Sequence, residues 1–248
     1  MIVALLMGRG GSSGFPGKNI YPVLGRPLME YPLIAATRSK SIDRIFVSTD
    51  SSEIKQIGRK YGAAIIDRPP ELCSSQALGE DVYVHAYDHA KKSLGEPIDL
   101  VVLLMCNAAT ITGDLIDEGI QILRCHPEYD SAVSVSSYNM WSPLRARKVG
   151  DDNLLHPFVP FTAFGDPKTL NCDRDSQGDV WFADMGVSIV RSYNLEHLEE
   201  GLLPQKWMGQ KIYPLKQWGG LDVDYEWQIP QVEFWLKNHG FDNSDTNV

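Results

Sequence analysis

A chain of 248 residues, 43% apolar and 22% charged, has room for one α/β domain with an insertion or for two small domains, in the proportions of a soluble globular protein. Its formal net charge of −9 argues against a general nucleic-acid binder, because surfaces that track phosphate backbones are basic. A nucleotide enzyme stays open, since its positive charge need only be local.

Taken in order, Ile2–Met7 is a continuous apolar run and reads as a short buried strand. It stops at a turn-forming tract, GRGGSSGFPGKN, whose charged members are Arg9 and Lys18. Pro27–Ser39 has helical periodicity, with Pro27 in the first turn and Pro32 weakening the middle. Arg44–Thr49 is the next strand and delivers Ser48, Thr49 and Asp50 to the carboxyl edge, where ligands of open α/β sheets sit. Ser52–Tyr61 is a helix ended by Gly62, Ala63–Asp67 a third strand, and Arg68-Pro69-Pro70 a break. A helix over Glu80–Lys92, a buried strand over Ile98–Met105 and a helix over Asp114–Cys125 follow. This alternation calls for a mostly parallel sheet flanked by helices, with right-handed crossovers.

From Tyr138 to about Gly178 the rhythm is lost in a segment rich in Pro, Asp, Arg and aromatics. A structureless loop of that length would be unusual, so an inserted subdomain, lid or oligomer contact is expected. A strand at Trp181–Val190, a short helix near Tyr193–Glu199, a strand at Lys211–Leu215 and a closing helix over Asp224–Asn238, interrupted by Pro230, complete the pattern. The expectation is a single domain over 1–240, with 138–180 as its insertion, and a flexible polar tail over 241–248. No apolar run approaches the ~20 residues that span a bilayer. Residues 2–7 are too short for a signal-peptide core and lack its basic flank, so the cytoplasm is the expected compartment. Cys73, Cys106, Cys125 and Cys172 show neither zinc spacing nor a disulfide framework and are expected to be reduced and structural.

Two features carry chemistry. Glycines let the tract after the first strand turn sharply and bring N–H groups close to an anion, and two cations beside it suit a polyphosphate. The competing reading is a plain Gly/Ser turn; the position after a buried strand favours the phosphate loop. It is not a Walker loop, because Asn19 follows Lys18, and Gly8, Gly10 and Ser13 miss the dinucleotide spacing. The second feature is Gly219-Gly220-Leu221-Asp222-Val223-Asp224. Alternation puts Asp222 and Asp224 on one side of an extended segment, a pair suited to magnesium, which takes one or two carboxylates plus water and phosphate oxygens. A solvated turn with an Asp cap on the last helix is the alternative. His85 and His89 lie one turn apart but lack a third zinc ligand and read as helix surface. Arg145, Arg147 and Lys148 form a basic knot, either solvated or a clamp for an acidic acceptor. Trp181, Phe182, Trp218 and Trp227 read as core. No Gly-x-Ser-x-Gly elbow supports a serine nucleophile.

The loop GRGGSSGFPGKN, the Gly25-Arg26-Pro27-Leu28 turn, VSTDSSEIKQIGRKYGAAIIDRPPEL over 47–72, Gly79-Glu80-Asp81-Val82 and Gly220–Asp224 together resemble the CMP-sialic acid synthetases (acylneuraminate cytidylyltransferases), relatives of the 3-deoxy-manno-octulosonate cytidylyltransferases. The resemblance covers roughly the first hundred residues and the last thirty. It implies a Rossmann-like nucleotidyltransferase fold, a homodimer formed with help from the insertion, and transfer of CMP from CTP to an acidic nine- or eight-carbon sugar, releasing pyrophosphate. By carry-over Arg9 and Lys18 grip the triphosphate, beside Gly10, Gly11, Ser12 and Ser13. Asn19 and Arg68 help place the nucleotide, Asp50 lies near it, and Asp222 and Asp224 hold Mg2+. Asn107 faces the acceptor by the same carry-over, and the basic knot adds Arg145 and Lys148 as acceptor candidates. The chain departs from the family where a Gln-Pro-Thr-Ser-Pro-type segment is replaced by Met105-Cys106-Asn107-Ala108-Ala109-Thr110, and where the loop's usual Lys is Ser13. A different acceptor, such as a sugar phosphate, a different base, or a catalytically silent nucleotide-binding relative are the other readings.

Overall fold

The apolar run after Met1 becomes β1 (Ile2–Met7), buried at every position. In this computed structural model residues 1–11, 14–74, 76–173 and 178–242 are described. A small hairpin of β2 (Pro22–Val23) and β3 (Arg26–Pro27) follows β1. Strand and helix then alternate through α1 (Glu30–Arg38), β4 (Arg44–Thr49), α2 (Ser52–Lys60), β5 (Ala64–Asp67), α3 (Gly79–Leu94), β6 (Leu100–Met105) and α4 (Gly113–Cys125). The second half adds β7 (Ser131–Ser137), a hairpin of β8 (Arg147–Val149) and β9 (Leu155–Pro157), β10 (Trp181–Arg191), α5 (Ser192–Glu196), β11 (Ile212–Gln217) and α6 (Ile229–Asn238).

Seven strands form one sheet in the order β11-β7-β10-β6-β1-β4-β5, in which β10 runs antiparallel to both its neighbours and the remaining pairs are parallel. The continuous apolar runs of β1 and β6 follow from burial on both faces. Ala4 and Leu6 pack with Leu33, Ile54 and Ile120 from α1, α2 and α4. Val3, Leu5 and Met7 face the other way, onto Val82, Tyr83 and Ala86 of α3. Fully burying a Leu or Val is worth roughly 1.5–3 kcal/mol, so this one strand anchors both layers. A third cluster joins α6 to α1 through Trp235, Leu236, Tyr31 and Ile34.

The strand order reverses beside β1. From β1 the chain moves to β4 and β5 on one side, then crosses to β6 on the other. The loops leaving the carboxyl ends of β1 and β6 therefore part in opposite directions and open a crevice, the usual ligand position in such sheets.

Several sequence expectations are corrected. The first helix begins at Glu30, because Arg26–Pro27 pairs with Pro22–Val23, and Pro32 falls in its first turn, where the backbone N–H has no intrahelical acceptor. The closing helix begins at Ile229, with Pro230 in its first turn as an initiator and not an interruption. Strand β7 lies in a stretch the sequence reading left unassigned. Its serines disguise it: Ser131, Ser134 and Ser136 are buried with their hydroxyls hydrogen-bonded, so they occupy the sheet as small satisfied groups. Trp181, Phe182, Trp218 and Trp227 are exposed, not core. Trp181 and Phe182 lie beyond the register shift in β10, and Lys216 covers the Trp181 ring at 4.6 Å. Trp218 stacks outside on His239. His89 is exposed, but His85 is half-buried with Nδ1 enclosed and unpartnered among the described residues. The cysteines are free; Cys106 is buried, whereas Cys125 and Cys172 are exposed. Phe241 packs edge-on against Tyr31, one residue past the boundary expected at 240; the tail from 243 onward lies outside the described residues.

Candidate active site

The loop after β1 is fixed by close backbone approach. A Cβ on Gly8 would collide with Cys106 at the end of β6, so only glycine lets these two strand ends sit side by side. The Gly8 N–H donates to the Ser48 carbonyl at 3.2 Å, and the Gly10 N–H donates to Asp50 Oδ1 at 2.8 Å. Asn19, buried, donates from Nδ2 to the Arg9 carbonyl at 3.0 Å and closes the loop on itself. Arg9 donates to the Cys73 carbonyl at 3.2 Å. Lys18 donates to Asp224 Oδ1 at 2.6 Å. A Cβ on Gly14 would sit 2.9 Å from the Asp224 carbonyl oxygen, so the loop's far arm also rests against the Asp224 segment. Ser12 and Ser13 lie outside the described residues.

The opposite wall is the segment after β6. Asn107 donates from Nδ2 to the Val223 carbonyl at 2.9 Å and to Asp222 Oδ2 at 3.3 Å, and the Val223 N–H returns a bond to the Asn107 carbonyl at 2.9 Å. Thr110, fully buried, accepts from the Leu221 N–H at 2.9 Å and donates to its carbonyl at 3.1 Å. One residue earlier the Gly220 N–H donates to Ser136 Oγ. Ser136 in turn donates to Asp184, a buried carboxylate that also accepts from Ser134, Gln217 and the Gly186 N–H. The 220–224 segment is thus fastened to the stretch after β6 and to β7, and through Ser136 to Asp184 of β10, so its two carboxylates are aimed, not free.

Between these walls lies a cavity of about 420 Å³. Of the residues singled out from sequence, it brings together Arg9, Gly11, Lys18, Asn19, Arg68, Asn107, Asp222 and Asp224. Gly10 and Asp50 line a second hollow of about 340 Å³ behind the loop, where Asp50 pins Gly10. Arg145 and Lys148 stand elsewhere: Arg145 lines a separate depression and donates to the Cys172 carbonyl at 2.8 Å, and Lys148 is exposed on β8. The cavity also takes in Tyr83 and Tyr225, which the sequence reading did not single out. Adjacency to Asp224 was a signal for Tyr225. Nothing in the helical period of α3 distinguished Tyr83 from core.

The electrostatics divide the cavity. Burial raises the Asp222 carboxyl above the ordinary aspartate range, the Asp224 charge adds to this, and Lys18 opposes it. Two carboxylates sharing one lysine, with hard oxygen donors facing a cavity, are a set that a magnesium ion fits. Arg68, with Asp50 and Arg9 among its charged neighbours, is buried, donating to the Ser48 carbonyl at 2.7 Å and to Ser48 Oγ at 3.3 Å, and burial lowers its pKa. Leu72, Ala77 and Val82 make part of the cavity wall apolar.

A family model described as cytidylyltransferase matches residues 3–149. The chain is 25% identical over 234 residues to N-acylneuraminate cytidylyltransferase of Oncorhynchus mykiss, covering 93% of this chain and 49% of that protein. It is 28% identical over 192 residues to 8-amino-3,8-dideoxy-manno-octulosonate cytidylyltransferase of Shewanella baltica, covering 75% and 73%. The chain spans about half the length or less of the N-acylneuraminate cytidylyltransferases it matches, at 49%, 32% and 53%. The structure of CMP:2-keto-3-deoxy-manno-octonic acid synthetase complexed with CTP superposes with a TM-score of 0.65 at 15% identity, covering 96% of this chain and 99% of that one, a likeness of fold.

Proposed function

From the premise that the chain belongs to the cytidylyltransferase family, we propose that it transfers CMP from CTP to the hydroxyl of an acidic sugar of the sialic-acid or octulosonic-acid kind, releasing pyrophosphate with the help of Mg2+. The observation that carries this reading is the meeting of Arg9, Lys18 and Asn19 from one end of the chain with Asp222 and Asp224 from the other, around one cavity.

Each residue has work consistent with its setting. Arg9 and Lys18 lie beside the exposed backbone of Gly11 and oppose the charge of a polyphosphate. Lys18, already held by Asp224, is poised between that carboxylate and the anion. Arg68 and the apolar wall suit a planar base, with the guanidinium as donor to its polar edge. The acceptor hydroxyl oxygen forms its bond to the α-phosphorus and gives up its proton to solvent as the α-phosphorus bond to the oxygen bridging to the β-phosphate breaks, and positioned cations absorb the charge on the departing pyrophosphate. Magnesium bound at Asp222 and Asp224 would neutralise phosphate oxygens there. Asn107 holds Asp222 in place from the β6 side.

A homodimer belongs to the same reading. Met140, Trp141, Leu155 and Phe158 of the 138–180 segment are 58–71% exposed, an apolar surface that a second copy would cover. The test of the activity is direct: incubate the protein with each nucleoside triphosphate, magnesium and a panel of acidic sugars and follow pyrophosphate. Release with CTP and one such sugar is expected; no pyrophosphate from any pair refutes the proposal.

A further inference from the structure

The last helix is preceded by an aromatic pair that the core does not use. Tyr225 lines the cavity and yet is 53% exposed, so its ring stands at the cavity's edge. Trp227, 65% exposed, lies nearly parallel to it, with ring centroids 6.1 Å apart and planes inclined by 10°. The root of the pair is fixed. Gln228 Oε1 accepts from the Asp224 N–H at 2.7 Å and from the Tyr225 N–H at 2.8 Å, and the Gln228 N–H donates to the Tyr225 carbonyl at 3.1 Å. A single exposed ring is ordinary. Two stacked rings on a pinned backbone beside a carboxylate pair form an apolar platform that is ordered before anything binds to it.

The place of the platform selects its occupant. Tyr225 directly follows Asp224, and a Cβ on Gly14 would come 3.7 Å from Tyr225 Cε1, so the ring edge also lies against the glycine loop. On the reading above, those two segments hold the metal and the phosphates. The acceptor carries the attacking oxygen itself, whereas the base is separated from the α-phosphorus by the whole ribose. A platform joined to Asp224 is therefore within reach of the acceptor, and the same reading already gives the base Arg68 with Leu72, Ala77 and Val82. Resting on that reading, we propose that Tyr225, backed by Trp227, is the subsite for the acceptor sugar, its aromatic face stacking on the C–H face of the sugar ring. A sugar acid is polar around its rim but presents C–H groups on its ring faces. An aromatic face covers these and leaves the hydroxyls to water and polar side chains.

Steady-state pyrophosphate release, with magnesium, CTP and a panel of acidic sugars that includes N-acetylneuraminic acid and 3-deoxy-manno-octulosonic acid, tests this. Tyr225→Ala should raise the KM for the acceptor on the order of tenfold, the worth of one ring's apolar contact, with the KM for CTP held. Tyr225→Phe keeps the ring and should recover most of that loss. Trp227→Ala should raise the acceptor KM by a smaller factor, about threefold, through loss of the stack. An acceptor KM unmoved by Tyr225→Ala overturns the proposal, and so does a KM for CTP that rises in its place, which would give the ring to the nucleotide. Tyr225→Phe as impaired as Tyr225→Ala also overturns it, because the hydroxyl and not the ring face then makes the contact. Wild-type protein that releases no pyrophosphate with any of the sugars overturns the proposed activity, and this subsite with it.

Discussion

Replacing Lys18 with alanine separates what the loop does for the fold from what it does for a ligand. In the folded chain its ammonium is 2.6 Å from Asp224, whose side chain is 60% exposed, whereas the lysine side chain itself is 13% exposed. A pair open to water on one side is screened and contributes about 0–1 kcal/mol to stability. For a chain of this length that corresponds to a fall of under about 4 °C in the melting midpoint. A phosphate held by the same ammonium is a different matter, because a hydrogen bond to a charged group is worth roughly 1.5–3 kcal/mol. The triphosphate should then bind roughly ten- to a hundredfold more weakly. Calorimetric titration with CTP, run beside a thermal melt of the same preparation, reads both quantities. Unchanged CTP affinity would refute the loop assignment, and a midpoint lowered by tens of degrees would show that Lys18 is structural.

Asp222→Asn should abolish turnover and yet stabilise the metal-free protein at neutral pH. The folded chain raises the Asp222 carboxyl's pKa, so the stability tied to its neutral form is present below ~4 and lost as pH climbs through the raised value. Thermal melts of variant and wild type without divalent cations should coincide at pH 3.5 and diverge in the variant's favour at pH 7; equal differences at both pH values would remove burial as the cause. Thr110→Val leaves the Leu221 N–H without its acceptor, at about 1–3 kcal/mol, and lets the Asp222 segment shift. Chemical denaturation should register that loss, and turnover should drop on the order of tenfold or more; wild-type turnover would mean the tether does not aim the carboxylates. Asp184→Ala strips the acceptor from Ser134, Ser136 and Gln217 and should cost on the order of 3 kcal/mol, whereas a loss below 0.5 kcal/mol, outside the order-of-magnitude range for a broken buried network, would show the network to be replaceable.

Much of the fold is legible because burial leaves a one-dimensional trace. Ile2–Met7 and Arg44–Thr49 are bounded in the structure as the sequence expects, the first as an unbroken apolar run buried on both faces and the second around its apolar Ile45–Val47 centre. Strand β7 escaped because its burial is secured by serine hydroxyls bonded across the sheet, partners that lie about fifty residues away for Asp184 and 77 for Met208. The exposed tryptophans escaped for the converse reason. Large apolar side chains are assigned to the core on average, and nothing local tells Trp218 or Trp227 that they lie outside α6.

The site divides in the same way. Residue type and local spacing were enough to mark Arg9, Lys18, Asp222 and Asp224, because glycine turns and paired carboxylates are short-range devices, whereas Asn19 and Arg68 were marked by the family resemblance alone. Which of the marked residues share a cavity is a matter of strand order. The reversal beside β1 sets the β1 and β6 loops face to face, and Asn107 and Thr110 then tie residues 221–223 between them. Arg145 and Lys148 carry as much charge in the sequence as Arg9 and Lys18, but they lie outside the cavity, in the stretch around β8. The sequence alone determined which charged and polar groups are available to a site. Tertiary structure decided which of them meet, because their meeting depends on contacts across up to 206 residues of chain that no local pattern encodes.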